Sequence, residues 1–291
     1  RVKYKAFSDG EQHVQFLENL RGKDIFLVQS TNPPAENWIR LLLAIDAARG
    51  ASAHEITAII PYFGYSRQDR KARPREPISA RMFAEALESV GTNRVLTMDL
   101  HNDAIGGFFR EANVDYLYAR PVFLSFFREY FKEALKKDDV VIVSPDAGGA
   151  VRAQSYARRL MRAADLAIIH KEREIPNKVA RMKLIGDVKG KIALIVDDMV
   201  DTCGTLARAS DLLVENGATE VYAAATHGVL SGDAIETIEK SPIKRVFITD
   251  TISVDRPLGS KIEVVSVGKT FGEAIDRIES GESLSALFET E

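Results

Sequence analysis

One cysteine, Cys203, stands among 291 residues. A single thiol excludes an internal disulfide and matches a reducing compartment. Apolar runs long enough to span a bilayer are missing, and the first residues lack the pattern of a signal peptide. Neither sign of charge dominates: the formal net charge is -3, which argues against a general binder of nucleic acid or of a membrane surface. The chain contains no Gly-x-x-x-x-Gly-Lys-Ser/Thr and no Gly-x-Gly-x-x-Gly, so the P-loop and dinucleotide-binding readings lose their main support. Cys/His spacing for zinc is missing too, and no low-complexity linker divides the chain. The expectation is a cytoplasmic protein that binds neither membrane nor nucleic acid.

What is present is a chain with 45% hydrophobic residues, whose length favours two domains. Strand-like runs at 24–29 and 55–61 flank a helical pattern at 36–49 that ends at Gly50. A second helical pattern, 78–90, ends at Gly91, and a strand follows at 94–98. Pro121 starts another helix at its favoured first position. The pattern then restarts at 140–143, with further strands near 167–169, 192–196, 221–225 and 245–248. Strands alternating with helices of this length predict βαβ units and parallel sheets. The run 24–28 echoes 140–143, and 95–101 echoes 194–201, which suggests a duplication with its boundary near Ala119-Arg120. The expected domains are 1–120 and 121–271. The tail at about 272–288, with an amphipathic helix through Phe271, Ala274, Ile275 and Ile278, is assigned to the first.

The stretch 191–217 organises the rest. The apolar run 192–196 leads into two carboxylates, Asp197 and Asp198, then into Asp201-Thr202-Cys203-Gly204-Thr205, and a helical pattern runs on to Asn216-Gly217. A helix N-terminus offers unpaired N–H groups and the positive end of a dipole, so such a loop can hold a phosphate. Two carboxylates would repel a bare phosphate, but they suit a ligand that also brings sugar hydroxyls or a divalent cation. The alternative is an ordinary strand-to-helix loop capped by Asp and Thr. The block resembles the ribose-phosphate loop of the phosphoribosyltransferase-type fold.

Four other clusters each admit two readings. Arg67, Arg70, Lys71, Arg73, Arg75 and Arg81 crowd a segment that Pro74 and Pro77 keep from being one helix. It is either a solvated basic loop or a flap that closes over a polyphosphate. Met98-Asp99-Leu100-His101 places His101 at a strand end, as a metal ligand or as a histidine bonded to backbone. Asp146, in Ser144-Pro145-Asp146-Ala147-Gly148-Gly149, suits a cation or caps a helix. Lys171 and Arg173 alternate on an extended segment, facing solvent together or together neutralising a transferring phosphoryl group.

Taken in order, Phe7-Ser8-Asp9-Gly10-Glu11, Tyr65-Ser66-Arg67-Gln68-Asp69-Arg70-Lys71, Pro77-Ile78-Ser79-Ala80, Met98-Asp99-Leu100-His101, Ser144-Pro145-Asp146, Lys171-Glu172-Arg173, the 197–205 loop, Thr226-His227-Gly228-Val229-Leu230-Ser231-Gly232 and Gly281-Glu282-Ser283-Leu284-Ser285 resemble the ribose-phosphate pyrophosphokinase family, in its phosphate-dependent, hexameric class. The resemblance covers nearly the whole chain. It implies an α/β protein of two tandem phosphoribosyltransferase-like domains, each a mostly parallel sheet flanked by helices. It implies ATP and ribose 5-phosphate as substrates, Mg2+ as cofactor, inorganic phosphate and ADP as effectors, and a homohexamer built from dimers.

The resemblance also implies roles. Lys171 and Arg173 would stabilise the transition state, with Arg173 also near the sugar phosphate. Arg67, Gln68, Asp69 and Lys71 would hold ATP, and Phe7, Asp9, Gly10 and Glu11 would reach its adenine from a neighbouring subunit. Asp197 and Asp198 would take the ribose hydroxyls; Asp201, Thr202, Cys203, Gly204 and Thr205 the 5-phosphate; His101 and Asp146 the magnesium. Nothing nominates a general base.

Departures from the family accompany the match. The family's first strand and helix precede the segment matching Arg1, so the first domain is expected to be incomplete at its edge. Ala104 and Gly106 stand where the family carries glutamines, and Asn19 where serine is common, which predicts an altered response to phosphate and ADP. Cys203 stands where bacterial members commonly have glycine and where animal members also have cysteine. Two rivals fit less of the chain. A nucleobase phosphoribosyltransferase leaves the Arg67 segment, the Phe7 turn and the duplicated half unexplained, and a non-catalytic regulatory homologue should have lost Lys171, Arg173, His101 or Asp146.

Overall fold

The computed structural model describes residues 1–161, 163–172 and 181–288, with backbone alone for Lys171, Glu172 and Arg181. The chain forms two compact units, one made of 1–118 with 269–288, the other of 119–268. Among the described residues no helix is long and apolar enough to cross a membrane.

In the first unit, β1 (Val2–Ala6) and β2 (Gln12–Phe16) make an antiparallel hairpin. β3 (Asp24–Val28), α1 (Glu36–Gly50), β4 (Glu55–Ile60), α2 (Ser79–Val90), β5 (Arg94–Met98) and β6 (Asn113–Leu117) follow. The four strands pair in parallel in the order β3-β4-β5-β6. β4 and β5, with neighbours on both sides, are buried on both faces and mostly apolar, each interrupted by one buried threonine, Thr57 and Thr97. α1 turns Trp38, Leu41 and Ile45 inward, and Trp38 stacks on Phe83 of α2 with ring centroids 4.2 Å apart. α2 stops at Gly91, which takes the left-handed conformation at φ +107°, as a helix C-cap requires.

The second unit holds α3 (Arg120–Tyr130), α4 (Lys132–Lys136), β7 (Val140–Ser144), α5 (Ala150–Leu160), β8 (Leu166–Glu172), β9 (Arg181–Ile185), β10 (Ile192–Val200), α6 (Gly204–Glu215), β11 (Glu220–Gly228), α7 (Ala234–Lys240), β12 (Ile243–Thr249) and β13 (Ile262–Val265). Its sheet has the order β13-β12-β11-β10-β7-β8-β9, parallel throughout except for β9, which pairs antiparallel to β8. α8 (Gly268–Ser280) then contributes its residues from 269 onward to the first unit. The sheets are mostly parallel and flanked by helices, as the alternation of strand and helix patterns predicts.

The order also reverses where the chemistry was expected. From β7 the chain moves to β8 on one side; from β10 it moves to β11 on the other. Helices therefore leave neighbouring strands in opposite directions and open a crevice at their carboxyl ends, where ligands bind in open α/β sheets.

Candidate active site

β10 runs four residues beyond the apolar run 192–196, so Asp197 and Asp198 lie inside the strand and not after it. The reason is asymmetric pairing. β7 stops matching β10 at Ile195, while β11 continues to pair as far as Val200 with Gly228. The end of β10 is thus tied on one side and borders the crevice on the other. Alternation along the strand buries Asp198 and leaves Asp197 part-exposed.

Two adjacent carboxylates need a counter-cation, and α5 supplies it. Arg152 Nη1 donates to Asp197 Oδ1 at 3.1 Å and lies 3.5 Å from Asp198 Oδ1. The Asp198 N–H also donates to Asp197 Oδ1, at 2.9 Å. Burial and then the neighbouring Asp198 charge push the Asp197 carboxyl up to about 7, with Arg152 acting against them. Arg152 escaped the sequence reading because a basic residue early in a helix looks like any solvated one, and its partner lies 45 positions away.

The 201–205 segment wraps the N-terminus of α6. Pro145, Met199, Asp201, Thr202, Cys203 and Thr205 are among the residues lining a cavity of about 170 Å3 there. Cys203, the residue before the helix, is left-handed at φ +61°. That conformation costs an L-residue roughly 1–2 kcal/mol. Burial, followed by the nearby Asp201 charge, pushes its thiol up to about 12, so it is a spacer and no nucleophile.

Asp146 follows β7 into the same unit. Its Oδ1 accepts the Gly149 N–H at 3.0 Å, which pins the turn before α5, although among the described residues no side chain caps the helix itself. A carboxylate has room for several partners, and a cation role remains compatible with this one. Lys171 sits in β8, its backbone opposite Met182 of β9. Arg173 lies outside the described residues.

The first unit assembles the remaining candidates. Phe7, Asp9, Gly10 and Glu11 form the exposed tip of the β1–β2 hairpin. Phe7 N–H donates to Glu11 O at 2.8 Å, Asp9 Oδ1 accepts the Glu11 N–H at 3.1 Å, and Gly10 takes φ +95°. An aromatic ring held 44% exposed on a pinned turn contributes nothing to its own core. The segment bearing Arg67, Gln68, Asp69 and Lys71 has no regular structure but is tied at several points. Gln68 O accepts the Ala80 N–H at 3.2 Å, and Ser79 Oγ donates to Gln68 Oε1 at 2.5 Å. Asp69 Oδ2 accepts from Asn102 Nδ2 at 2.6 Å, which brings the segment against the loop carrying the exposed His101. Asp99, just past β5, is left-handed at φ +41°, a strain of the kind kept at functional loops.

Known proteins resemble the chain along nearly all of its length. Residues 1–91 match the family model for the N-terminal domain of ribose phosphate pyrophosphokinase, and residues 172–289 match the phosphoribosyl synthetase-associated domain. A ribose-phosphate pyrophosphokinase of Fusobacterium nucleatum is 46% identical over 99% of this chain and 90% of its own. Ribose-phosphate pyrophosphokinase A of Dictyostelium discoideum is 49% identical over 97% of this chain and 88% of its own. Among solved structures, phosphoribosylpyrophosphate synthetase from Mycobacterium smegmatis superposes with a TM-score of 0.89 at 37% identity, covering 97% of this chain and 91% of that one. With its switch-point crevice, acidic strand end and helix-capped loop, the chain belongs to the ribose-phosphate pyrophosphokinase family.

Proposed function

We propose how this chain's residues divide the reaction of a ribose-phosphate pyrophosphokinase, in which the β,γ-pyrophosphoryl group of ATP passes to the C1 hydroxyl of ribose 5-phosphate. The hydroxyl oxygen bonds to the β-phosphorus, the bond from that phosphorus to the α-phosphate oxygen breaks, and AMP leaves as 5-phosphoribosyl 1-pyrophosphate forms. The observation that carries the assignment is the crevice end of β10, where two carboxylates beside Arg152 precede a helix-capped cavity. A diol fits the first and a phosphate the second.

Asp197 and Asp198 accept the ribose hydroxyls, and Asp201, Thr202, Cys203, Gly204 and Thr205 hold the 5-phosphate with the N–H groups that open α6. Arg67, Gln68, Asp69 and Lys71 bind ATP. Phe7 stacks against adenine of a neighbouring subunit, with Asp9, Gly10 and Glu11 giving polar contacts, which requires at least two subunits; the family resemblance supports a homohexamer built from dimers. Lys171 and Arg173 neutralise charge on the moving pyrophosphoryl group. Such a transfer depends on orientation and cations more than on a strong base.

One imidazole and one carboxylate suit a cation held chiefly by its substrate's phosphate oxygens. By the family's pattern, His101 in the first unit and Asp146 in the second are assigned to magnesium, and the ion when bound would offset phosphate charge. Inorganic phosphate and ADP act as effectors, and the enzyme is cytoplasmic. Phosphorus NMR of the protein with ATP, Mg2+, inorganic phosphate and ribose 5-phosphate tests the reading. AMP with a new sugar-bound pyrophosphate is expected; ADP would overturn it.

A further inference from the structure

The carboxyl ends of β11 and β12 hold a polar cluster that the assigned site does not use. His227, Thr249 and Thr251 are each no more than 2% exposed. Thr249 O–H donates to the Thr226 carbonyl at 2.7 Å, and Thr251 O–H donates to the same carbonyl at 3.2 Å. His227 Nδ1 lies 2.9 Å from Thr251 Oγ1. Thr249 Oγ1 also lies 3.0 Å from Thr251 Oγ1, so the two hydroxyls, the imidazole and the Thr226 carbonyl form one connected network.

Placing such groups in an apolar sheet end costs stability unless they are satisfied. Packing alone would be served by apolar side chains. What the cluster does tie together is the end of β11 and the end of β12, directly before the turn that follows β11. The N–H groups of Val229 and Leu230 both donate to the Val200 carbonyl, at 2.9 and 3.1 Å. Leu230 is buried and left-handed at φ +51°. From the other side, the Arg256 guanidinium donates to the carbonyls of Leu230 and Gly232. Val200 is the residue directly before Asp201, and Met199 pairs with His227 across the two strands.

We propose that His227 and Thr251 are positioning residues for ribose 5-phosphate binding, resting on the assignment of 201–205 to the 5-phosphate. They lock the end of β11, and the Val229–Leu230 turn carries that lock to Val200 and so to the angle at which the phosphate loop leaves β10. Neither touches substrate. Loss of the lock lets the loop entrance tilt, which weakens sugar phosphate binding and leaves ATP binding alone.

Steady-state kinetics in both substrates test this, with circular dichroism confirming the folded fraction. Thr251→Val, which keeps shape and removes the hydroxyl, is expected to raise the KM for ribose 5-phosphate about tenfold with the KM for ATP within about twofold. Thr251→Ser, which keeps the hydroxyl, and His227→Asn, which keeps a side chain able to donate or accept, should each stay near wild type. Proportional changes in both KM values, or none in a folded Thr251→Val protein, would overturn the proposal. If that variant does not fold, Arg256→Ala must show the same selective rise, and an unaltered ribose 5-phosphate KM there sinks it. Thr205→Ala separates the two levels. A rise there without one in Thr251→Val defeats only the positioning role, whereas no rise in Thr205→Ala removes the loop assignment and the proposal with it.

Discussion

Arg152 bridges Asp197 and Asp198, its Nη1 3.1 Å from one carboxylate and 3.5 Å from the other. Neighbouring acids on one strand would otherwise expel each other's charge as they are withdrawn from water. Under the proposed assignment, the cation keeps them available to sugar hydroxyls. Arg152→Met, which keeps the alkyl stem, should raise the KM for ribose 5-phosphate by on the order of tenfold and leave ATP binding within about twofold. Isothermal titration with each substrate checks this, and equal losses for both would place Arg152 elsewhere in the mechanism.

The same pair makes sugar binding depend on pH. Burial and then Asp198 hold the Asp197 carboxyl up at about 7, above the roughly 4 of an unfolded chain. A raised carboxyl favours the folded state fully below the unfolded value, and that contribution is lost as pH rises through about 7. Unliganded protein should therefore melt lower at pH 8 than at pH 6, while ribose 5-phosphate, which needs the ionised acceptor, should bind more tightly at pH 8. The substrate phosphate also titrates, near 6. Asp197→Asn isolates the protein's share, because in that variant only the substrate dependence should remain.

Cys203 is the place to test strain against burial. Cys203→Gly removes a left-handed strain of roughly 1–2 kcal/mol and gives up a comparable amount of apolar burial. Its melting temperature should stay within a few degrees of wild type, with activity retained. Cys203→Val, β-branched at φ +61°, should both destabilise the protein and raise the KM for ribose 5-phosphate. A Val variant as active as the Gly variant would mean that the backbone at Cys203 does not shape the loop.

At Gly106 the departure from the glutamine expected by resemblance has a packing counterpart. A Cβ there would lie 1.5 Å from Tyr116 Oη, which itself donates to Asp103 O at 3.1 Å. The tyrosine fills the space that a glutamine at 106 would use. Phosphate activation and ADP inhibition should accordingly depart from the usual curves. Gly106→Gln alone should destabilise by about 1–3 kcal/mol, and pairing it with Tyr116→Asn should recover part of that loss. Ordinary effector curves for the unaltered protein would count against the regulatory prediction.

Lys171→Ala addresses the transition state. Turnover should fall by a factor of a hundred or more, on the order of 3 kcal/mol, with ATP affinity nearly kept. Near-normal turnover would remove Lys171 from the mechanism.

Sequence alone placed much of this. Residues 94–98 read as a strand and are one, and 78–90 differs from α2 by a single residue. Both are short apolar patterns closed by a glycine or a turn. The extension of β10 through Asp197 and Asp198 was hidden, because acidic residues look like the end of a strand when its partner, β11, is not in view. β9, reading Arg-Met-Lys-Leu-Ile, alternates charged and apolar residues as an edge strand does, but nothing local names β8 as its partner. Arg152 and the His227–Thr251 cluster act across 45 and 24 positions, distances at which local periodicity carries no information. What was legible was chemistry carried within one loop; what was not was chemistry assembled between elements.

The pairing of β10 has a consequence for how the protein comes into being. Its strand partners begin at Val140 and at Glu220, so the phosphate loop hangs from a strand that matures only when distant stretches of chain have closed on it. Such contacts are slow to form, because loop-closure entropy is paid before they give anything back. Competence to bind the sugar phosphate should thus be among the last properties acquired during refolding, arriving with the whole sheet and never with its helices alone.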